Sequence, residues 1–294
     1  MHAHDGSDDA RTSADPPNQP YKNPIHSIGD SAQSSQHPTR SAMATAEATG
    51  GSSSSEGEAA ELTLLGFWTS PYVLRARFAL NLKGIPYTYV EEDLFGDNTK
   101  SQLLLASNPA HGGKVPVLVH HGKPVAESMV ILEYIDEAFP DSLPRLLPSG
   151  DPHRRAAARF WAAYVDQKLL PTWIPLYGGA TVEERVKAAG EVVALLETFE
   201  GVLGEKDEFF GGGSVGLVDV ALGGFIGWLR ASEAMCGVRT LDPARTPLVA
   251  AWAERFGALD GVREVVPDVP GLVEYNLMKR ARRGLPFLPP HQTQ

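Results

Sequence analysis

The sequence predicts two unlike folded parts: a small α/β domain of order βαβαββα, and after it a domain built only of helices. Three observations carry this reading. Strand-like and helix-like runs alternate only between Glu61 and about Phe139. Beyond that segment no strand signal returns, and apolar residues recur at helical spacing. The length of 294 residues exceeds the usual size of one domain and leaves room for two compact units with appendages.

Residues 1–60 are rich in Ser, Ala, Asp, Gly and Pro and poor in large aliphatics, so they bury too little surface to offset the entropy of ordering. A disordered arm is expected there. Its acids, Asp5, Asp8, Asp9 and Asp15, argue against an organellar transit peptide. Met-His-Ala-His-Asp lacks the cationic start and apolar run of a secretory signal, so a cytosolic location is expected. Met43 offers a second start.

In residues 61–140, Leu62–Leu65 reads as a buried strand and Ser70-Pro71 opens an amphipathic helix running to Lys83-Gly84. Tyr87–Val90 alternates as a second strand, Ser101–Leu105 forms a short helix, and Val115–Val119 a third strand. Gly122-Lys123 turns the chain into a fourth strand ending near Ala126. The run from Ser128 to Phe139 places Val130, Ile131, Tyr134, Ile135 and Phe139 at helical spacing, one face on the sheet. Residues 141–152 are Pro-rich and read as a linker. In residues 153–284 helices are expected over about His153–Leu169, Val182–Leu203, Leu217–Met235, Pro247–Ala258 and Val273–Arg283, with an irregular tail at 285–294.

Composition excludes several functions. A formal net charge of -10 repels phosphate backbones, which removes nucleic acid as a partner. No apolar run approaches the roughly 20 residues of a membrane span. The single cysteine, Cys236, rules out an intrachain disulfide, a Cys-x-x-Cys pair and a cysteine-rich zinc site, and no metal is expected. His120 and His121 beside Gly122 read as solvated loop residues.

Three short features could carry chemistry. Ser70 lies between the first strand and helix, where its hydroxyl joins the exposed amides and positive end of the helix dipole, a place that stabilises a thiolate. A plain Ser cap before Pro71 explains it equally. In Lys114-Val115-Pro116, a proline at a strand start is consistent with a cis bond that leaves the preceding backbone able to pair with an extended ligand. An ordinary edge-strand proline is the alternative. Glu127-Ser128 opens a helix, where the hydroxyl and free amides suit a carboxylate and Glu127 suits an ammonium group, and the α-centre of an amino acid presents both; a Ser cap with an acid complementing the dipole explains it equally.

In this order and spacing the three features resemble plant glutathione transferases of the tau class. The resemblance runs through Trp68–Tyr72, Ala79–Gly84, Asn108–His111, Lys114–Leu118 and Gly122–Ser128, and continues in Phe160–Asp166 and Gly216–Gly223. It implies a thioredoxin-like domain followed by an all-helical substrate domain, the glutathione transferase fold. It also implies glutathione as co-substrate with no other cofactor, apolar electrophiles as second substrates, and a homodimer. Residue by residue, Ser70 resembles the group that hydrogen-bonds the glutathione sulfur. Glu127 and Ser128 resemble the pair holding the γ-glutamyl end, Val115 the backbone partner of the cysteinyl unit, and Lys100 and Lys114 the lysines reaching the glycine carboxylate. Tyr72, Tyr164, Lys168 and Trp228 resemble electrophile-pocket positions, with Trp161, Trp173 and Leu277 as further candidates. Asp219, three residues after Gly216, is assigned to a helix-start box and hence to folding.

The chain departs from the pattern in three places. His111-Gly112-Gly113-Lys114 has an extra glycine and one lysine fewer, Thr69 replaces a frequent proline, and Tyr72 a frequent phenylalanine. Two rivals share the fold: a thiol transferase, which would need a cysteine at position 70, and a non-catalytic carrier of apolar molecules.

Overall fold

The computed structural model describes residues 62–94 and 100–286; the expected arm and most of the expected tail lie outside the described residues. Strand β1 (Leu62–Gly66) is buried except at Thr63. Helix α1 (Pro71–Leu82) returns the chain to β2 (Thr88–Glu91), which pairs parallel with β1. Helix α2 (Gln102–Ser107) and a 3-10 turn (Pro109–His111) lead to β3 (Val117–His120) and β4 (Lys123–Ala126), and α3 (Ser128–Ala138) follows. The sheet order is β2-β1-β3-β4, with β3 antiparallel to both its neighbours. This is the expected βαβαββα layout. Strand β3 starts two residues later than expected, after the Val115-Pro116 cis bond. Val130, expected on the sheet face of α3, is 55% exposed, and Leu132 takes the buried place beside Ile131 and Ile135.

The helical part comprises α4 (Pro152–Tyr164), a π-helical segment (Val165–Leu169), α5 (Leu170–Gly178), α6 (Val182–Glu200), α7 (Leu217–Gly223), α8 (Ile226–Cys236), α9 (Pro247–Ala258), α10 (Asp260–Arg263) and α11 (Val269–Arg282). Four differences from the expected helices have physical causes. Helix α5 was hidden by Pro171 and Pro175, residues that normally interrupt a helix. The single helix expected over Leu217–Met235 is two, broken at Gly224, where an added Cβ would lie 2.4 Å from the Pro71 carbonyl oxygen of α1. Helix α10, at four residues, is too short to show a period. Helix α11 starts four residues earlier than expected, because Asp268 caps it by accepting from the Gly271 amide at 2.6 Å and Pro270 fits the first turn.

Three buried polar centres hold these parts together. Arg75, fully buried on α1, donates from Nε to the Ala221 carbonyl (2.9 Å) and forms a two-pronged pair with Asp166 (2.6 and 3.1 Å). Lys83 Nζ lies 2.9 Å from Asp136 Oδ1, and the Asp136 carboxylate accepts from the amides of Leu146 and Leu147, which pins the linker. Burial pushes the Asp136 carboxyl upward, but the Lys83 bond and the two amides outweigh it and hold the group below its ordinary value. Asp219 accepts from the amides of Phe210, Gly211 and Gly216 and from the Trp252 indole, as its assignment to folding requires. Its burial pushes the carboxyl up to about 6 against the pull of these four donors.

Candidate active site

Two hollows meet at Tyr72. The first, of about 390 Å³, lies between the start of α3, the segment before β3 and the π-helical segment; its walls include His111, Val115, Glu127, Ser128 and Asp166. The second, of about 270 Å³, lies over the start of α1 and is walled by Ser70, Tyr72, Trp173, Tyr177, Trp228 and Tyr275.

Ser70 is the N-cap of α1, with extended backbone, and its hydroxyl oxygen accepts from the Val73 amide at 3.4 Å. That long bond uses a lone pair and leaves the O–H available as a donor. The local sequence logic is simple: Pro71 begins the helix because it lacks the N–H that the first turn cannot satisfy. Beside Ser70, the buried Thr69 offers its carbonyl to Trp228 Nε1 at 2.8 Å, which ties α8 to the helix start. Tyr72 packs edge-on to Phe225 with its ring 5.0 Å from the Arg75 guanidinium. Burial and then the Asp166 charge push its phenol upward, so it stays protonated through neutral pH.

In the first hollow Glu127 has φ 72 and ψ 118, a backbone state that a non-glycine residue adopts at a cost of about 1–3 kcal/mol. The exposed carboxylate faces His111 at 2.9 Å, so an incoming ammonium group competes with an imidazole rather than filling a dry pocket. Ser128 is buried, and its hydroxyl accepts from Arg75 Nη1 at 3.2 Å. Val115 precedes the cis proline, and among the described residues its backbone makes no hydrogen bond. Gly112 and Gly113 both have positive φ (60 and 69), which explains the departure at this turn: a lysine there would pay the left-handed cost that glycine escapes.

The structure thus places Ser70 and Tyr72 on one hollow, with Trp173 and Trp228 on its helical wall, and Tyr72, Lys114, Val115, Glu127 and Ser128 on the other. Other sequence candidates fall elsewhere. Lys100 donates to the Gly112 carbonyl at 2.7 Å and lines neither hollow. Tyr164 packs among Trp161 and Phe199, with ring centroids at 5.4 and 6.0 Å, and lines neither hollow. Lys168 is exposed, and Leu277 points off α11 on the side away from Tyr275 and Lys279. Trp161 walls a separate hollow near the linker. His120 is not simply solvated: its Nδ1 lies 2.8 Å from the Tyr134 hydroxyl.

Sequence reasoning missed Arg75, Asp166, Tyr177, Tyr275 and the cations of α11. Arg75 did leave a signal, a charge inside the buried stripe of α1 between Leu74 and Phe78, where an unpaired arginine is not tolerated. Tyr275 left none, since a lone aromatic on a polar helix has many uses. Among the described residues no cluster of three His, Cys, Asp or Glu could hold a metal ion, and no helix is long and apolar enough to cross a membrane.

Comparison with known proteins agrees with this arrangement. The family described as glutathione S-transferase, N-terminal domain, matches residues 60–137, and that described as glutathione S-transferase, C-terminal domain, matches 156–255. A probable glutathione S-transferase of Oryza sativa subsp. japonica is 56% identical over 215 residues, covering 71% of this chain and 89% of that protein. A glutathione S-transferase of Arabidopsis thaliana is 42% identical over 228 residues, covering 74% and 93%. The crystal structure of a tau-class glutathione S-transferase from mango, Mangifera indica, superposes with a TM-score of 0.68 at 43% identity, covering 74% of this chain and 98% of that one. A rice glutathione S-transferase solved in complex with glutathione gives 0.68 at 42%, covering 75% and 98%. A helix-capping serine, a strained Glu-Ser corner and a cis-proline edge around two hollows that share Tyr72, together with these likenesses, settle the lineage: the chain belongs to the glutathione S-transferase family and, within it, to the plant tau class.

Proposed function

We propose that this chain joins the sulfur of reduced glutathione to apolar electrophiles, with Ser70 as the group that makes the nucleophile. The observation that carries the reading is the position of the Ser70 hydroxyl, at the N-terminus of α1 and on the wall of an aromatic cavity that meets the Glu127 hollow at Tyr72.

A free thiol of this kind has a pKa of about 8.5, so little thiolate exists at neutral pH. Lowering it by about two units takes roughly 2.7 kcal/mol of preference for the anion. The Ser70 O–H and the amide end of α1 supply donors aimed at one point, and no base is needed. The γ-glutamyl ammonium pairs with Glu127, displacing His111, and its carboxylate meets the Ser128 end of α3. The cysteinyl backbone pairs with Val115. Lys114, exposed at the rim, reaches the glycine carboxylate; Lys100 acts at most through the turn it braces.

The electrophile lies against Trp173, Trp228 and Tyr275, with its reacting carbon beside the sulfur, so orientation supplies the rest of the acceleration. The family likeness extends the reading to a cytosolic homodimer serving detoxification or stress metabolism, with peroxide reduction as a side activity. The exposed Val130 on α3 and Phe160 on α4, at 55% and 58%, support a subunit contact. A panel of aryl halides, isothiocyanates and organic hydroperoxides assayed with glutathione tests the proposal. Binding of glutathione without turnover of any of them would leave the carrier reading.

A further inference from the structure

The wall of the aromatic cavity is uneven in charge. No carboxylate lines it, while Lys279, Arg280 and Arg283 do, all from the end of α11. Arg280 is occupied: its guanidinium is buried, donating to the carbonyls of Tyr177 and Gly179 at the end of α5 and to Pro286. The other two cations are not. Lys279 Nζ stands 5.9 Å from the centre of the Tyr275 ring, and Arg283 reaches to within 3.5 Å of the space beside Gly178. Among the described residues neither side chain meets a carboxylate or makes a hydrogen bond. A third donor joins them, since the Trp173 indole N–H is buried on the same cavity with no partner. Two exposed cations at the rim and one buried N–H without an acceptor, around an apolar space that no carboxylate lines, suit an anion with an apolar body better than a neutral hydrocarbon.

We propose that the electrophile this cavity selects carries its own negative charge, a carboxylate or sulfonate on an aromatic or aliphatic body, held by Lys279 and Arg283 while the reacting carbon faces Ser70. The inference rests on the glutathione-transfer reading above and names its substrate class. The Tyr275 ring is the hinge of the argument. It packs on Trp68, Phe67 and Trp228, at 5.8, 5.7 and 6.1 Å, so the helix face from which the exposed Lys279 extends is anchored and its charge stays at one end of the cavity.

The test uses 4-chloro-3,5-dinitrobenzoate and its uncharged carboxamide, which share a leaving group and differ in charge. In both, the glutathione sulfur bonds to the chlorine-bearing carbon, chloride leaves with the C–Cl electron pair, and the thiol proton passes to solvent. Each kcat/KM is divided by the uncatalysed rate constant, which removes the difference in intrinsic reactivity. The expected result is a preference for the benzoate of at least about tenfold, expressed in KM and shrinking as salt is raised. Lys279→Gln with Arg283→Gln should bring the ratio to about one, and Lys279→Glu below one. A wild-type ratio of one or less, or variants that slow both compounds equally, would overturn the proposal while leaving glutathione transfer intact. Failure to turn over either compound would instead strike the transfer reading itself.

Discussion

The hollow beside Glu127 is shaped by backbone: a positive-φ corner, a cis-proline edge and two left-handed glycines. The cavity above Ser70 is walled instead by side chains from α1, α5, α8 and α11, which meet only after the helical part has folded against the sheet. A wall of backbone tolerates little change, because its shape follows from the fold, which suits it to the invariant co-substrate in the function proposed above. A wall of side chains can be rebuilt one residue at a time without disturbing the thiol chemistry. The two halves of the site therefore divide the tasks of constancy and choice.

The largest expected effect comes from cutting the tie between the halves. Replacing Arg75 with methionine leaves Asp166 without its partner and Ser128 without its donor, and breaking a buried pair from one side costs about 3–5 kcal/mol. Urea denaturation should show that loss, together with a raised KM for glutathione. Stability within about 0.5 kcal/mol of wild type would mean that the halves are held by apolar packing alone.

Next in size is Ser70→Ala, which should lower kcat/KM by about a hundredfold, the usual effect of deleting one donor to a developing anion. The sign of the pH effect follows from the thiol: with less stabilisation of the anion its pKa rises toward about 8.5, so the acidic limb of the rate profile moves to higher pH. An unshifted limb with full activity would reduce Ser70 to a helix cap. Glu127→Ala should weaken glutathione by about 1.5–3 kcal/mol, read as KM with kcat little changed. At the small end, Tyr164→Phe should change conjugation by less than about twofold, because its ring belongs to the α4–α6 packing. A large change there would show that the electrophile extends beyond the cavity.

These expectations also mark what the sequence could tell. Ser70, Val115, Glu127 and Ser128 were legible because each sits in a local motif, a cap, a proline edge or a helix mouth, whose geometry its immediate neighbours set. Tyr164 and Lys168 were harder to place, because which residues wall a cavity depends on how whole helices pack, and no local motif announces the π-helical segment at Val165–Leu169 that carries Lys168. Helix α5 was overlooked for the opposite reason: its two prolines announced a break that the flanking helix and tertiary packing override. Lys279 and Arg283 read as ordinary basic residues at a helix C-terminus, where they also suit the dipole.

The π-helical segment bears on how this lineage can vary. A π-turn widens to fit one extra residue, so removing one residue from Val165–Leu169 would restore regular winding while leaving the helix beyond it nearly in phase. Trp173 and Tyr177 would keep their places on the cavity wall, while Asp166, inside the segment, would shift against Arg75. A one-codon deletion at this point would therefore act on the tie between sheet and helices and spare the cavity wall, and the single wide turn is where the helical part can absorb a change in chain length.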